Sequence, residues 1–268
     1  MSQAEDTAGA LFRAGKLNPA IAAANAVLRR KPGDFGTRIL LAELLVFAGN
    51  LERADTVLDT AAQLDPAAAI GVAEFRQLLR AAEARRQCRR DGRVPEFLGE
   101  PTAALRAALA ALTARRAGDG AAMAQYAAEA EAARPRAPGH AGDVPFDDFR
   151  DMDDLHAGFF EVLTTTGKYY WVPTERIASL EFRPPRRPRD LVWRRAGMSV
   201  IDGPDGEIYV PAIYDEEQPD LADEFRLGRA TDWTAAENGA VYGIGQRVFL
   251  VGDEARGIMD LTTLRFTP

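Results

Sequence analysis

The chain has 268 residues, 47% of them hydrophobic and 27% charged, with a formal net charge of -7. That composition excludes wholesale disorder, no apolar run approaches the ~18 residues that cross a membrane, and a pI near 5.1 argues against nucleic acid as a main partner. The acidic start Met1–Asp6 lacks the apolar core of a secretory signal and the lone Cys88 cannot form an internal disulfide, which together point to the cytoplasm.

The charge is unevenly spread. Residues 1–138 hold 19 Lys+Arg against 16 Asp+Glu, whereas residues 139–268 hold 14 against 24. The first half is rich in Ala, Leu and Arg and poor in β-branched residues, a helical composition. A shift of 34 residues superposes Leu11 on Leu45, Ala14 on Ala48, Gly15 on Gly49, Leu17 on Leu51, Ala20 on Ala54 and Pro32 on Pro66. That period is the tetratricopeptide one. Small residues let paired helices approach, Gly15 and Gly49 permit the turn within a pair, and Pro32 and Pro66 close the second helix. The Gly-to-Pro spacing returns at Gly118 and Pro135, after an insertion with a helix over 69–90, a loop over 93–101 and a helix from Thr102 to Arg116.

The half therefore reads as about seven helices in an irregular solenoid, with a groove suited to a peptide or helix. Phe12, Arg13, Ile39, Glu43 and Phe47 fall on first-helix positions able to line it, with core packing of the large apolar ones as the alternative. The basic run Arg85-Arg86-Gln87-Cys88-Arg89-Arg90 ends a helix, where cations complement the dipole, and reads as a solvated face, with a contact to the acidic second half as the alternative.

Residues 137–146 contain two prolines and two glycines and read as a linker between a helical domain (1–136) and a β-rich domain (147–268). The acidic residues Asp147, Asp148, Asp151, Asp153 and Asp154 lack the spacing of a calcium loop and read as a solvated turn. Strand grammar follows at 159–163, 168–172, 177–182, 196–200, 207–211, 240–242, 247–251 and 257–261. The fold class is α+β, with a small antiparallel, barrel-like β domain. In Lys168-Tyr-Tyr-Trp-Val172, alternation places Tyr169 and Trp171 on a core face and Tyr170 opposite, where it can serve as a docking residue.

No reaction is legible. Two histidines and one cysteine do not readily form a zinc site, Gly243-Ile-Gly245 is too short for a dinucleotide fingerprint and no phosphate-binding loop occurs. No catalytic residue, metal or cofactor is assigned. One alternative is a hydrolase with a site between the halves around Glu100, Asp153 and Glu161. Another is a general tetratricopeptide adaptor with a different client.

Tyr169-Tyr-Trp-Val-Pro-Thr-Glu-Arg-Ile177, Arg189-Asp-Leu-Val-Trp193, Asp205-Gly-Glu-Ile-Tyr-Val-Pro-Ala-Ile-Tyr214, Gly99-Glu-Pro101 and Gly243-Ile-Gly-Gln-Arg247 resemble the ImpE/TagJ (SciE-type) accessory proteins of bacterial type VI secretion. The resemblance runs over nearly the whole chain. It implies a non-enzymatic adaptor or scaffold that binds the small sheath subunit through that subunit's N-terminal helical region, and that acts, indirectly, on recycling of the sheath by its ATPase. It carries over no catalytic residues. Asp154–Glu161 departs from the commoner family pattern.

Overall fold

The structure is a computed structural model and describes residues 7–214, 220–234 and 240–267. Among the described residues, seven α-helices fill the first half: α1 (Ala8–Arg13), α2 (Leu17–Arg30), α3 (Phe35–Phe47), α4 (Leu51–Leu64), α5 (Ala69–Arg90), α6 (Ala103–Arg116) and α7 (Gly120–Ala133). Their starts are legible in residue type. The side chains of Thr7, Asp34, Asn50, Thr102 and Asp119 each accept a hydrogen bond from a backbone N–H three residues on, which satisfies a donor the helix cannot. Gly15 and Gly49 have φ of 78° and 70°, the left-handed turn for which glycine carries no steric cost. The 34-residue repeat thus yields the hairpins α1–α2 and α3–α4, and α5 stacks on α4.

The strands are β1 (Glu96–Phe97), β2 (Gly139–Ala141), β3 (Val144–Phe146), β4 (Phe149–Asp151), β5 (Phe159–Leu163), β6 (Tyr169–Pro173), β7 (Ile177–Phe182), β8 (Trp193–Val200), β9 (Asp205–Pro211), β10 (Thr231–Thr234), β11 (Tyr242–Gly245), β12 (Val248–Val251), β13 (Glu254–Gly257) and β14 (Thr263–Phe266). A four-residue helix α8 (Asp223–Arg226) precedes β10. One sheet runs β1-β6-β5-β9-β8-β7-β14-β2-β3, and smaller sheets run β10-β11 and β13-β12-β4. Among the described residues, every strand pairing is antiparallel except β1 with β6.

The expected linker is not a linker. Residues 139–141 and 144–146 form a hairpin at one edge of the large sheet, and β2 pairs with β14. Pro145 is tolerated because it lies on the outermost strand, where a missing N–H breaks no inner ladder. The strand expected at 240–242 lies at Tyr242–Gly245 instead. The one expected at 257–261 lies earlier, at Glu254–Gly257, and β14 follows unforeseen.

The two faces of β5 and β6 serve two cores. Phe159, Leu163, Tyr169 and Trp171 join the helical core. Phe160, Val162 and Val172 join a second core with Phe149, Leu180, Phe249 and Leu264. Alternation along a strand delivers this division directly. The helical layer therefore packs onto the sheet along one continuous apolar seam.

Candidate functional site

The seam has a charged centre. In α5, Val72, Phe75, Leu78, Leu79, Ala82, Arg85 and Cys88 recur at helical spacing and are all buried. Arg85 therefore shares the apolar face and points at the sheet. Opposite it, Glu161 lies between Phe160 and Val162 on β5 with no solvent exposure. Arg85 grips Glu161 with two hydrogen bonds, Nε to Oε1 at 2.9 Å and Nη2 to Oε2 at 2.8 Å. Arg247, fully buried just before β12, donates to the same Oε2. Tyr169 donates to Oε1 at 2.5 Å and Trp171 Nε1 donates to the Tyr169 hydroxyl at 2.6 Å.

Two further carboxylates, Asp151 and Asp153, extend the network. Tyr214 donates to Asp151 Oδ1 at 2.6 Å, and Arg247 Nε lies 3.5 Å from Asp151 Oδ2. His156 sits between Asp153, at 3.2 Å from Nδ1, and Glu161, at 3.6 Å from Nε2, while Arg89 reaches His156 Nε2 at 2.8 Å. Asp153 also accepts from the backbone N–H of Leu155 and Gly243. Three arginines thus face three carboxylates, which is how buried charge is tolerated.

The electrostatics follow from that pairing. Burial alone would raise the Glu161 pKa, but the guanidiniums of Arg85 and Arg247 outweigh it and hold the carboxyl well below its usual range. Asp151 goes the other way, because burial there exceeds the pull of Arg247. Asp153 stays below its usual value despite burial, held by His156. Burial and the Glu161 charge push the Tyr169 hydroxyl well above its normal value and the Cys88 thiol up to about 11. The thiol is therefore protonated near neutral pH and a poor nucleophile.

Two readings are corrected here. Arg85 is not part of a solvated face, because Glu161 draws it into the seam. The acidic run is not a solvated turn: Asp151 and Asp153 are buried, and Asp148 is held by Arg134 at 2.8 Å. Of the three carboxylates considered for a hydrolase, Asp153 and Glu161 do converge, but as buried counter-ions. Glu100 is exposed before α6, where its carbonyl accepts from Arg176 at 2.7 Å. Beside the network the seam opens into a cleft of about 500 Å³, lined by Phe47, Arg85, Arg86, Trp193, Ile213 and Tyr214 among others, with no carboxylate among the described residues lining it.

The expected groove residues are mostly interior. Phe12 and Phe47 pack ring to ring with centroids 5.2 Å apart, and Glu43 is 3% exposed. The reason is that the chain covers this face itself. Trp193 meets Phe75 edge-on at 6.1 Å, the Arg189 guanidinium lies over the Phe75 ring at 4.5 Å, and Tyr209 donates to Glu74 at 2.6 Å. Ile39 is half-buried, Arg13 is exposed, and Tyr170 is half-buried on the opposite sheet face. The Arg85–Glu161–Arg247 centre had one visible signal, a carboxylate in the middle of the apolar run Phe159–Leu163.

Comparison with known proteins gives three results. Residues 143–265 match the family described as ImpE protein, and residues 11–84 match a tetratricopeptide repeat. The chain is 31% identical over 258 residues to the type VI secretion system accessory component TagJ of Pseudomonas aeruginosa, which covers 96% of this chain and 90% of that one. It is also similar to the crystal structure of protein VPA1032 from Vibrio parahaemolyticus, with a TM-score of 0.91, 29% identity and 97% of each chain covered.

Proposed function

We propose that this chain, which belongs to the ImpE family, is a non-enzymatic accessory component of type VI secretion that binds the small sheath subunit through its N-terminal helical region and so modulates sheath assembly or recycling. The observation that carries this reading is the likeness to TagJ along almost the whole length of both chains. A relative aligned over one repeat would share only a scaffold, whereas this one aligns over both halves. The fold agrees with it, since stacked helical hairpins are a common platform for a partner helix. The carboxylates of the central network support it too, because Glu161, Asp151 and Asp153 are each engaged by arginine, tyrosine or backbone donors and none of them lines the cleft.

The protein works in the cytoplasm in this reading, and any effect on the sheath-recycling ATPase is indirect. Contact with the partner falls to groups that reach solvent. Arg13 and Ile39 on the helical stack, and Tyr170 on the sheet, qualify better than Phe12, Glu43 and Phe47. The test is calorimetric titration of the full chain with a peptide copying the N-terminal helix of the cognate small sheath subunit. Saturable binding with a negative ΔCp is expected, as apolar burial requires. Arg13→Glu and Ile39→Glu should weaken it by about tenfold or more. A folded chain that shows no heat of binding at micromolar concentration removes the proposed contact.

A further inference from the structure

Among the described residues, one buried acid lies outside the central network, on the inner face of the helical stack. Glu43 lies on α3 where that helix packs against the short turn of residues 188–191. It is 3% exposed, and its Oε1 has no hydrogen-bond partner. A carboxylate in that position is strongly disfavoured, whereas a neutral carboxyl group is far better tolerated. The charged groups facing it come from the turn: Arg189, Arg187 and Asp190. The buried residues that α2 and α4 bring into this core are all apolar: Leu17, Ala20, Ala24, Ala54 and Leu58. The titratable pair from α5 and β9, Glu74 and Tyr209, is closed on itself. Arg189 is turned onto the Phe75 ring, and its own buried Nε also has no partner.

Both ends of this contact therefore hold an unsatisfied polar atom in a place that belongs to neither half alone. We propose that Glu43 is a proton-operated latch between the helical stack and the β half: while its carboxyl is neutral the 188–191 turn stays seated on α3, and loss of the proton loosens that seat. This goes beyond the adaptor reading and does not depend on which partner binds. Burial raises the Glu43 pKa to about 7, against the opposing pull of Arg189 and Arg187. An acid whose folded value lies above its unfolded one stabilises the fold fully at pH below the unfolded value. That contribution is lost as the pH climbs through the folded value. The latch therefore works between the ordinary carboxylate range and about pH 7.

Thermal unfolding of the full chain and of Glu43→Gln, followed from about pH 4.5 to about pH 8.5, reads the latch. Glutamine keeps the shape and cannot ionise. The gap in Tm between variant and wild type should be smallest at the acid end, grow by several degrees in favour of the variant as pH rises, and level off above about pH 7.5. A gap that stays constant across the range overturns the proposal. Carboxyl 13C NMR of the wild-type chain needs no variant. It should show one glutamate titrating near neutrality, and Arg189→Met should move that midpoint further up by removing a cation. A spectrum in which every glutamate titrates in the ordinary range overturns the proposal equally.

Discussion

Glu161 holds more of the seam than any other single residue. It accepts from Arg85 twice, from Arg247 and from Tyr169. Removing one member of a buried ion cluster leaves the others uncompensated, at a cost of about 3–5 kcal/mol. Glu161→Gln should therefore lower the urea midpoint sharply at neutral pH, since it strands Arg85 and Arg247 beside a neutral amide. The pH dependence carries a sign. Glu161 has a folded pKa well below its usual value, so its stabilisation is present above the unfolded value and is lost as pH falls toward the folded one. The gap between wild type and variant should narrow on acidification, as it does for Glu43, but with the opposite sign: here the wild type is the more stable of the two at neutral pH. A gap that does not depend on pH would contradict the assignment of Glu161 as the ionised hub. In sequence, Glu161 was visible as an acid inside an apolar strand, but its partners were not. Arg85 and Arg247 stand 76 and 86 residues away, and although helical spacing puts Arg85 on the apolar face of α5, nothing local indicates which carboxylate it meets.

At the level of elements, what could be read was what local physics determines. The helix over 69–90, the start at Thr102 and the strands at 159–163 and 177–182 depend on periodicity, caps and turn residues close in the chain. The hairpin β2–β3 depends instead on β14, more than a hundred residues later, and its Pro and Gly content speaks against a strand until the partner is known. Gly139 records that distant partner. A Cβ there would lie 2.1 Å from the carbonyl oxygen of Arg265 and 2.9 Å from the Phe146 ring. Gly139→Ala should cost about 1–3 kcal/mol by overpacking, at the upper end because backbone cannot move aside as a side chain can. Gly206 on β9 is the matched control, with open space where its Cβ would be. Gly206→Ala should leave Tm within a degree or two of wild type, or raise it slightly. Equal melts for the two variants would mean that β2 does not pair with β14 as described.

The whole molecule is less divisible than its composition suggests. The β half completes the helical half at several points. α2 has no capping side chain from its own neighbours, and its Leu17 N–H donates to Asp223 at 2.9 Å, from 206 residues away. Arg229 donates to the carbonyls of Phe12 and Arg13 that end α1, at 2.6 and 3.0 Å. Arg176 donates to the carbonyls of Leu98 and Glu100. Beneath these bonds, Phe75, Leu78 and Leu79 share one core with Trp171, Trp193 and Tyr209. A helical half cut at residue 136 would expose that face together with Arg85 and lose its distant caps, a combination that favours association or a loosely packed state. Residues 1–136 expressed alone should bind a hydrophobic dye and melt without a sharp transition, and adding residues 137–268 should restore one cooperative melt. A monomeric 1–136 fragment with its own sharp transition would show instead that the repeat folds unaided. Its inner face would then be open to a partner helix, and the role of the β half would shift from completing the stack to competing for that face.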